Sequence, residues 1–363
     1  GASNVAVGAY ALDANTTADN NVAVGYYALS ANTTGTDNVA MGALALDANT
    51  TGSDNTAIGD NALGASTTAS HNTAVGSGVM LVNTSGTQNV GMGAFALYAN
   101  TTGTDNTAIG YNAMAANTEG NSNIAIGKDA LDSNTDADYN IAIGTDALQA
   151  NTTGSSNVAI GRSVMDANTT GGHNVAIGRE ALNDNTTASY NIGIGSYALD
   201  VNTTGASNVG VGYLALSANT TGANNTAVGG SALSSNTTAN NNTAVGLEAL
   251  TANTDGSPNT AVGYQAGTAI TTGDNNTAIG YRALYTEDTG NRSVAIGDYA
   301  LTVQNNDSSN YNTAVGYSAG TAVTTGIQNT LIGGLAGDAS TIGRYNTCLL
   351  YTSPSPRDGL LAR

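Results

Sequence analysis

The chain has 363 residues, enough for two or three ordinary domains, yet it holds one Phe, no Trp, three Pro and 47 Gly, with only 9% charged residues. That usage departs from a globular enzyme. Its formal net charge of -18, from 26 acidic against eight basic residues, speaks against nucleic acid as a partner, whose phosphates need Lys and Arg, and against docking on an anionic membrane.

No apolar run is long enough to span a bilayer, so no membrane insertion is expected in this stretch. The chain opens on Gly1 without a charged and apolar leader, and it reads as a fragment or a processed product.

A repeat dominates the text. Asn recurs at Asn4, Asn21, Asn38, Asn55, Asn72, Asn89, Asn106, Asn123, Asn140 and Asn157, and onward to Asn276, with an unbroken period of 17 residues. The register continues at Ser293, Asn312, Asn329 and Asn346, with one two-residue insertion after Ser293. A short fixed period over nearly the whole chain is the signature of a solenoid. The consensus is N-[VTI]-A-[VI]-G-x-x-A-L-x-A-N-T-T-G-x-x, and positions within a coil are counted here from its first Asn.

Taken in chain order, each coil begins with a period-two segment such as Val5, Ala6, Val7 or Ile141, Ala142, Ile143, which predicts a strand with the branched residues on one face and Ala on the other. Gly8 and its equivalents allow a turn where a side chain would clash. The pair Ala11 and Leu12 predicts a short second strand on the opposite wall, and the Asn-Thr-Thr-Gly run closes the coil. The Gly and Asn spacing excludes helix. One coil has too little apolar surface to fold alone, so stability must come from stacking on neighbouring coils. The expected fold is an all-β parallel β-solenoid of about twenty 17-residue coils over residues 1–347, with the branched residues stacked inside. On that expectation Ala6, Ala23, Ala40, Ala57 and Ala74 form a flat outward strip that invites another copy of the chain, most simply as a homotrimer.

The unit NxAIGxxA, as in NIAIGKDAL from Asn123 and NVAIGREAL from Asn174, resembles the head repeats of the trimeric autotransporter adhesins of Gram-negative bacteria, the group typified by the Yersinia adhesin. The longer form, NTAVGYQAGTAITTGDNNTAIGYRAL from Asn259, is also similar to repeats of phage tail-fibre-like proteins and of large exported bacterial proteins. The resemblance covers essentially residues 1–347. It implies a left-handed β-roll, three chains per fibre, on a cell surface, outside the cell or in a virion tail, contacting glycans or matrix proteins. The period here is longer than the usual head repeat, and no stalk or anchor is present in the sequence. The function it implies is a structural and adhesive fibre segment, or else a tail-fibre shaft that positions a receptor-binding tip.

From Cys348 the period is lost, and residues 348–363 hold two of the three prolines and the single Cys. Cys348 to Asp358 resembles the translation of a sequencing-library adapter, so this tail is expected not to be native protein.

Several motifs carry a chemical and a structural reading. NTT triplets at Asn15, Asn32 and Asn49, and in later coils, fit the glycosylation pattern. The same turn reads NTE at Asn117 and NTD at Asn134 and Asn253, which favours Asn kept for turn chemistry and ladders between coils. Regular Thr columns raise ice binding, although the two adjacent turn Thr leave at most one outward file. Asp19, Asp37, Asp54 and Asp105 lie in the turn before the repeat Asn and read as solvated carboxylates, since the calcium-binding nonapeptide is absent. His71 and His173 read as exposed substitutions, and no catalytic set is placed by the period, so neither enzyme activity nor a cofactor or metal is expected. Tyr26, Tyr27, Tyr111, Tyr213, Tyr264 and Tyr281 follow the repeat Gly and are candidate ligand contacts.

Overall fold

In the computed structural model, residues 1–350 are described. They form two compact units, one spanning Gly1–Tyr197 and the other starting at Ala198. Each described regular element is a three-residue strand, one per coil, and no helix occurs among the described residues. The first unit holds twelve strands, from β1 (Val5–Val7) to β12 (Ile192–Ile194), and the second nine, from β13 (Val209–Val211) to β21 (Thr347–Leu349). The chain is therefore an all-β parallel β-solenoid of about twenty 17-residue coils, as the period implies.

Within each unit, successive strands pair in parallel and in register. In the first, β9 (Ile141–Ile143) sets Ile141, Ala142 and Ile143 beside Val158, Ala159 and Ile160 of β10 (Val158–Ile160). In the second, β16 (Thr260–Val262) sets Thr260, Ala261 and Val262 beside Thr277, Ala278 and Ile279 of β17 (Thr277–Ile279). The β-branched residues favour extended backbone, and the Gly after each strand ends it. Gly144 has φ +135, and a methyl there would run into the carbonyl oxygen of Gly161 in the next coil. Only Gly meets both demands.

The two walls of the coil differ from the sequence expectation. Ala23, Ala40, Ala57 and Ala74 are fully buried, and the branched residues beside them are partly or fully exposed. Ala6, in the first coil, is exposed like both its neighbours. The alternation is as read, but Ala points inward, so these alanines are not a surface for another copy. The reason is volume: Leu and two Asn ladders fill the coil, leaving room for one methyl from the strand. At Gly91, which replaces this Ala, an added methyl would already lie 2.6 Å from Val79 Cγ1 and 2.9 Å from Met80 Cε.

The Ala-Leu segment is not a second strand. Leu148 has φ +52 and Asp146 φ +57, both left-handed, and the equivalent Leu recurs in this conformation in most coils. Left-handed backbone costs an L-residue about 1–2 kcal/mol. Two terms offset it. The Leu148 N–H donates to Val164 O at 3.0 Å and the Asp146 N–H to Lys128 O at 3.0 Å, so the turn is laddered to coils on both sides. Leu148 is also fully buried, which contributes about 1.5–3 kcal/mol.

The repeat Asn forms an interior ladder in each unit, broken in the second only where Ser293 replaces Asn. The Asn140 N–H donates to Asn123 Oδ1 at 2.8 Å, Asn140 Oδ1 accepts from the Asn157 N–H at 2.9 Å, and Asn140 Nδ2 donates to Gly154 O at 2.9 Å. The twelfth-position Asn makes a second ladder: Asn151 Nδ2 donates to Asn134 Oδ1 at 3.2 Å and to the same Gly154 O at 2.9 Å. Two buried amides thus converge on one turn carbonyl, which satisfies polar groups that burial would otherwise penalise.

Where the second ladder is interrupted, the interior compensates. In the coils of Gly267 and Gly320 the buried Leu is replaced by Gly, and Ile270 and Val323 stand where Asn would be, both buried. Asn253 Oδ1, which faces the coil of Ile270, has no partner, and neither does Asn49 Oδ1, which precedes Ser66 in the ladder. The last strand, β21, pairs Cys348 with Leu331, so the ladder runs two residues beyond the 1–347 boundary read from the period. The rest of the expected tail, residues 351–363, lies outside the described residues.

Candidate interaction surfaces

With Ala inside, each strand turns its second and fourth residues outward. In both units this makes a strand face of two parallel files, Val, Thr or Ile in one and Val, Ile, Met or Leu in the other, without a charged residue. Met41, Ile58, Met92, Ile124, Ile192 and Ile194 are exposed large apolar side chains on the first unit's face, and Val228 and Ile332 on the second's. A contiguous apolar surface of this kind marks an interaction site. The sequence carried one signal for it. The second position alternates between Val and Thr, as in Val39, Thr56 and Thr73, while the third holds Ala or Gly almost throughout. A position that accepts a hydroxyl beside a position that accepts nothing larger than methyl faces water, not the core.

The candidate tyrosines lie on the turn that follows the repeat Gly. Tyr26, Tyr111, Tyr213 and Tyr264 are exposed, and Tyr27 and Tyr281 are half-buried. The structure gathers them with further aromatics. Tyr10 stacks on Tyr27 at 4.6 Å, and Tyr26 meets Tyr27 edge-on at 4.5 Å. Phe95 meets Tyr98 at 5.8 Å and Tyr111 at 6.1 Å. In the second unit a row runs through four successive coils: Tyr264 stacks on Tyr281 at 5.3 Å, Tyr281 meets Tyr299 at 5.1 Å, and Tyr299 meets Tyr317 at 6.4 Å. Beside it, Gln265 Nε2 donates to Glu248 Oε2 at 2.6 Å and Arg282 Nε donates to Gln265 Oε1 at 2.8 Å.

The glycosylation candidates are corrected. Asn32 and Asn49 are fully buried, each with its amide nitrogen committed to a turn carbonyl, Gly35 O at 2.9 Å and Gly52 O at 3.0 Å. Asn15, in the first coil, is half-buried and donates to Ala18 O at 3.2 Å. In a folded coil the Asn32 and Asn49 nitrogens are closed to a transferase, because these residues are rungs of the second ladder. The Thr after Asn32 and after Asn49 is bound as well: Thr33 Oγ1 donates to Thr50 O at 3.0 Å and Thr50 Oγ1 to Thr67 O at 3.1 Å, as Thr152 Oγ1 does to Thr169 O at 3.0 Å. Its neighbour Thr153 is exposed.

His71 sits 3.8 Å from Asp54 with both side chains exposed, and His173 stacks on Tyr190 at 5.1 Å. Asp37, Asp54 and Asp105 occupy left-handed turn positions with φ 59. Among the described residues no three His, Cys, Asp or Glu side chains group as metal ligands would. Burial pushes the carboxyls of Asp47, Asp132 and Asp166 above the usual range, with Asp129 adding to the effect at Asp132 and Asp146 at Asp166.

One buried acid was missed from the sequence. Glu287 stands at the twelfth position of its coil, in place of Asn, and is fully buried. It accepts from the Gly290 N–H at 2.8 Å, from Gln304 Nε2 at 2.7 Å and from Asn310 Nδ2 at 2.9 Å. Gln304 also reaches Ser293 Oγ at 2.7 Å, bridging the place where the first ladder has Ser for Asn. The two-residue insertion in the next coil brings Asn310 to the carboxylate. The signal was a break in the twelfth-position pattern next to the insertion.

Compared with models of known protein families the chain matches none, and no curated protein matches it.

Proposed function

We propose that the chain is a structural and adhesive segment of an exported fibre. In this reading each chain is a left-handed roll, copies associate through the strand face as a homotrimer, and the aromatic turns, repeated along the coils, contact a surface, glycan or matrix ligand. The observation that carries it is the strand face: two in-register files of branched, uncharged side chains, exposed on each unit, beside a core that is complete without them. Association would remove this apolar surface from water, and many weak ligand contacts on one fibre would be multiplied by avidity. The few ion pairs, such as Lys128 with Asp129 at 2.7 Å and Arg162 with Glu180 at 3.0 Å, lie off this face. The same assembly would also serve as a tail-fibre shaft. Light scattering of the chain, with and without charged substitutions in the fourth-position file, tests the reading.

A second reading has its own observation. On β14 (Thr226–Val228), β15 (Thr243–Val245), β16 and β17, Thr stands in register with Thr, and Val or Ile with Val. Such a hydroxyl and methyl array could order water as an ice-binding face. Thermal hysteresis from a monomeric chain would favour it.

A further inference from the structure

We propose that the tyrosine row of the second unit is a binding site for a neutral polysaccharide, with Tyr299 and Tyr317 as the platforms on which sugar rings stack. The inference deepens the adhesive reading by naming its ligand class. Each chain carries the whole row, so the site does not require self-association.

The fold does not need these rings. In the two coils before the row, the turn position of Tyr264, Tyr281 and Tyr317 is held by Gly230 and Leu247, and in the coil of Tyr299 by Asp298; the strands pair in the same parallel register there as beside Tyr264 and Tyr281. Nor are all four rings spent on one another. Tyr264 and Tyr281 lie nearly parallel, 15° apart, and cover each other's faces. Tyr299 is turned 68° from Tyr281, and Tyr317 a further 89° from Tyr299. Among the described ring contacts, Tyr299 and Tyr317 therefore meet their neighbours only edge to face; Tyr317 is 59% exposed and Tyr299 is half-buried.

A pyranose ring has an apolar C–H face the size of a phenol ring and a rim of hydroxyls. It needs an aromatic platform with polar groups at its edge. The row supplies both. Arg282 lies over Tyr281 at 5.4 Å and Tyr285 at 4.9 Å, and the chain Glu248, Gln265, Arg282 sets planar donors and acceptors alongside. Tyr299 and Tyr317 lie in adjacent coils with ring centres 6.4 Å apart, so a sugar chain running along the stack meets both. Charge selects the ligand further. Glu248 and Arg282 balance within the rail, and a chain of net charge -18 repels polyanions. A neutral polysaccharide fits where an acidic one does not.

The test is affinity electrophoresis of the full chain in native gels containing hydroxyethylcellulose, galactomannan or laminarin, with alginate as the acidic comparison. Retardation is expected in at least one neutral gel and not in alginate. It should weaken at least tenfold in Tyr317→Ala, persist in His71→Ala, and persist per chain in a variant made monomeric through the strand face. No retardation in any of the three neutral gels, equal retardation of Tyr317→Ala, or stronger retardation in alginate would overturn the inference. The oligomeric state, measured separately, reports on the self-association reading alone.

Discussion

Leu331 and Gly337 occupy complementary space: a methyl built on Gly337 would lie 2.8 Å from Leu331 Cδ2, and one on Gly320 in the preceding coil 2.8 Å from Leu331 Cδ1. Leu331 is a large residue at a position held by Ala or Gly in the coils before it, and it fits because its own coil and the preceding one lack the interior Leu. The coil interior is thus filled to a fixed volume, as close-packed cores are.

It follows that Ala142→Leu, placed between the intact Leu131 and Leu148, overpacks the first unit. Destabilisation of about 1–3 kcal/mol or more is expected from urea unfolding. Adding Leu131→Gly and Leu148→Gly should recover part of the loss. A single variant as stable as the parent would mean the interior has room that the packing denies.

Two glycines of one coil should respond differently to a methyl. Gly144 has φ +135, a region nearly closed to L-residues, and Gly144→Ala should cost about 3 kcal/mol or more in the same assay. Gly154 has no such φ, and its position is held by Ala in other coils, Ala137 and Ala188 among them. Gly154→Ala should therefore cost less than about 1 kcal/mol. Equal losses would show that crowding, and not backbone conformation, governs both sites.

Removing one rung of the first ladder leaves a definite orphan. In Asn140→Ala the Asn157 N–H loses its acceptor, while Gly154 O keeps Asn151 as donor. A loss of about 1–3 kcal/mol is expected, with faster amide exchange confined to the neighbouring coils. In a glycosylating host, mass spectrometry should find Asn32 and Asn49 unmodified in the folded chain; full occupancy there would contradict their burial.

Glu287 gives the second unit a pH dependence. Burial raises its carboxyl pKa, against the opposing hydrogen bonds from Gln304, Gly290 and Asn306. A raised folded-state value means that its contribution is fully present below the ordinary carboxylate range and is lost as pH rises through the folded pKa. Amide protection of residues 287–310 should thus fall as pH rises above the ordinary carboxylate range. Glu287→Gln should flatten that change, and its amide can donate to Asn310 Oδ1, which has no partner in the parent. Protection that rises with pH would reverse the assignment.

Much of this fold could be read directly from the sequence. The Asn spacing marked the ladder, the β-branched pairs marked the strands, and Gly8 with its equivalents marked the turn. Which wall is inside was not legible from alternation, because period two separates Val22 from Ala23 without saying which is buried. The interior volume decides that, and it is set by residues elsewhere in the coil. Leu148 read as strand because nothing local announces a left-handed Leu; ladder bonds to Val164 in the next coil hold it there. Of the candidate contacts, the Tyr positions were visible, whereas the geometry joining Tyr299 and Tyr317 to Tyr281 was not.

The most direct measurement is the solution mass of the chain by light scattering during size exclusion, alongside the double variant Ile143→Glu, Ile177→Glu in the outward fourth-position file. The account predicts three times the chain mass of 35.8 kDa for the parent and a folded monomer for the variant. A monomeric parent, or a trimer that survives both charges, would contradict association through the strand face.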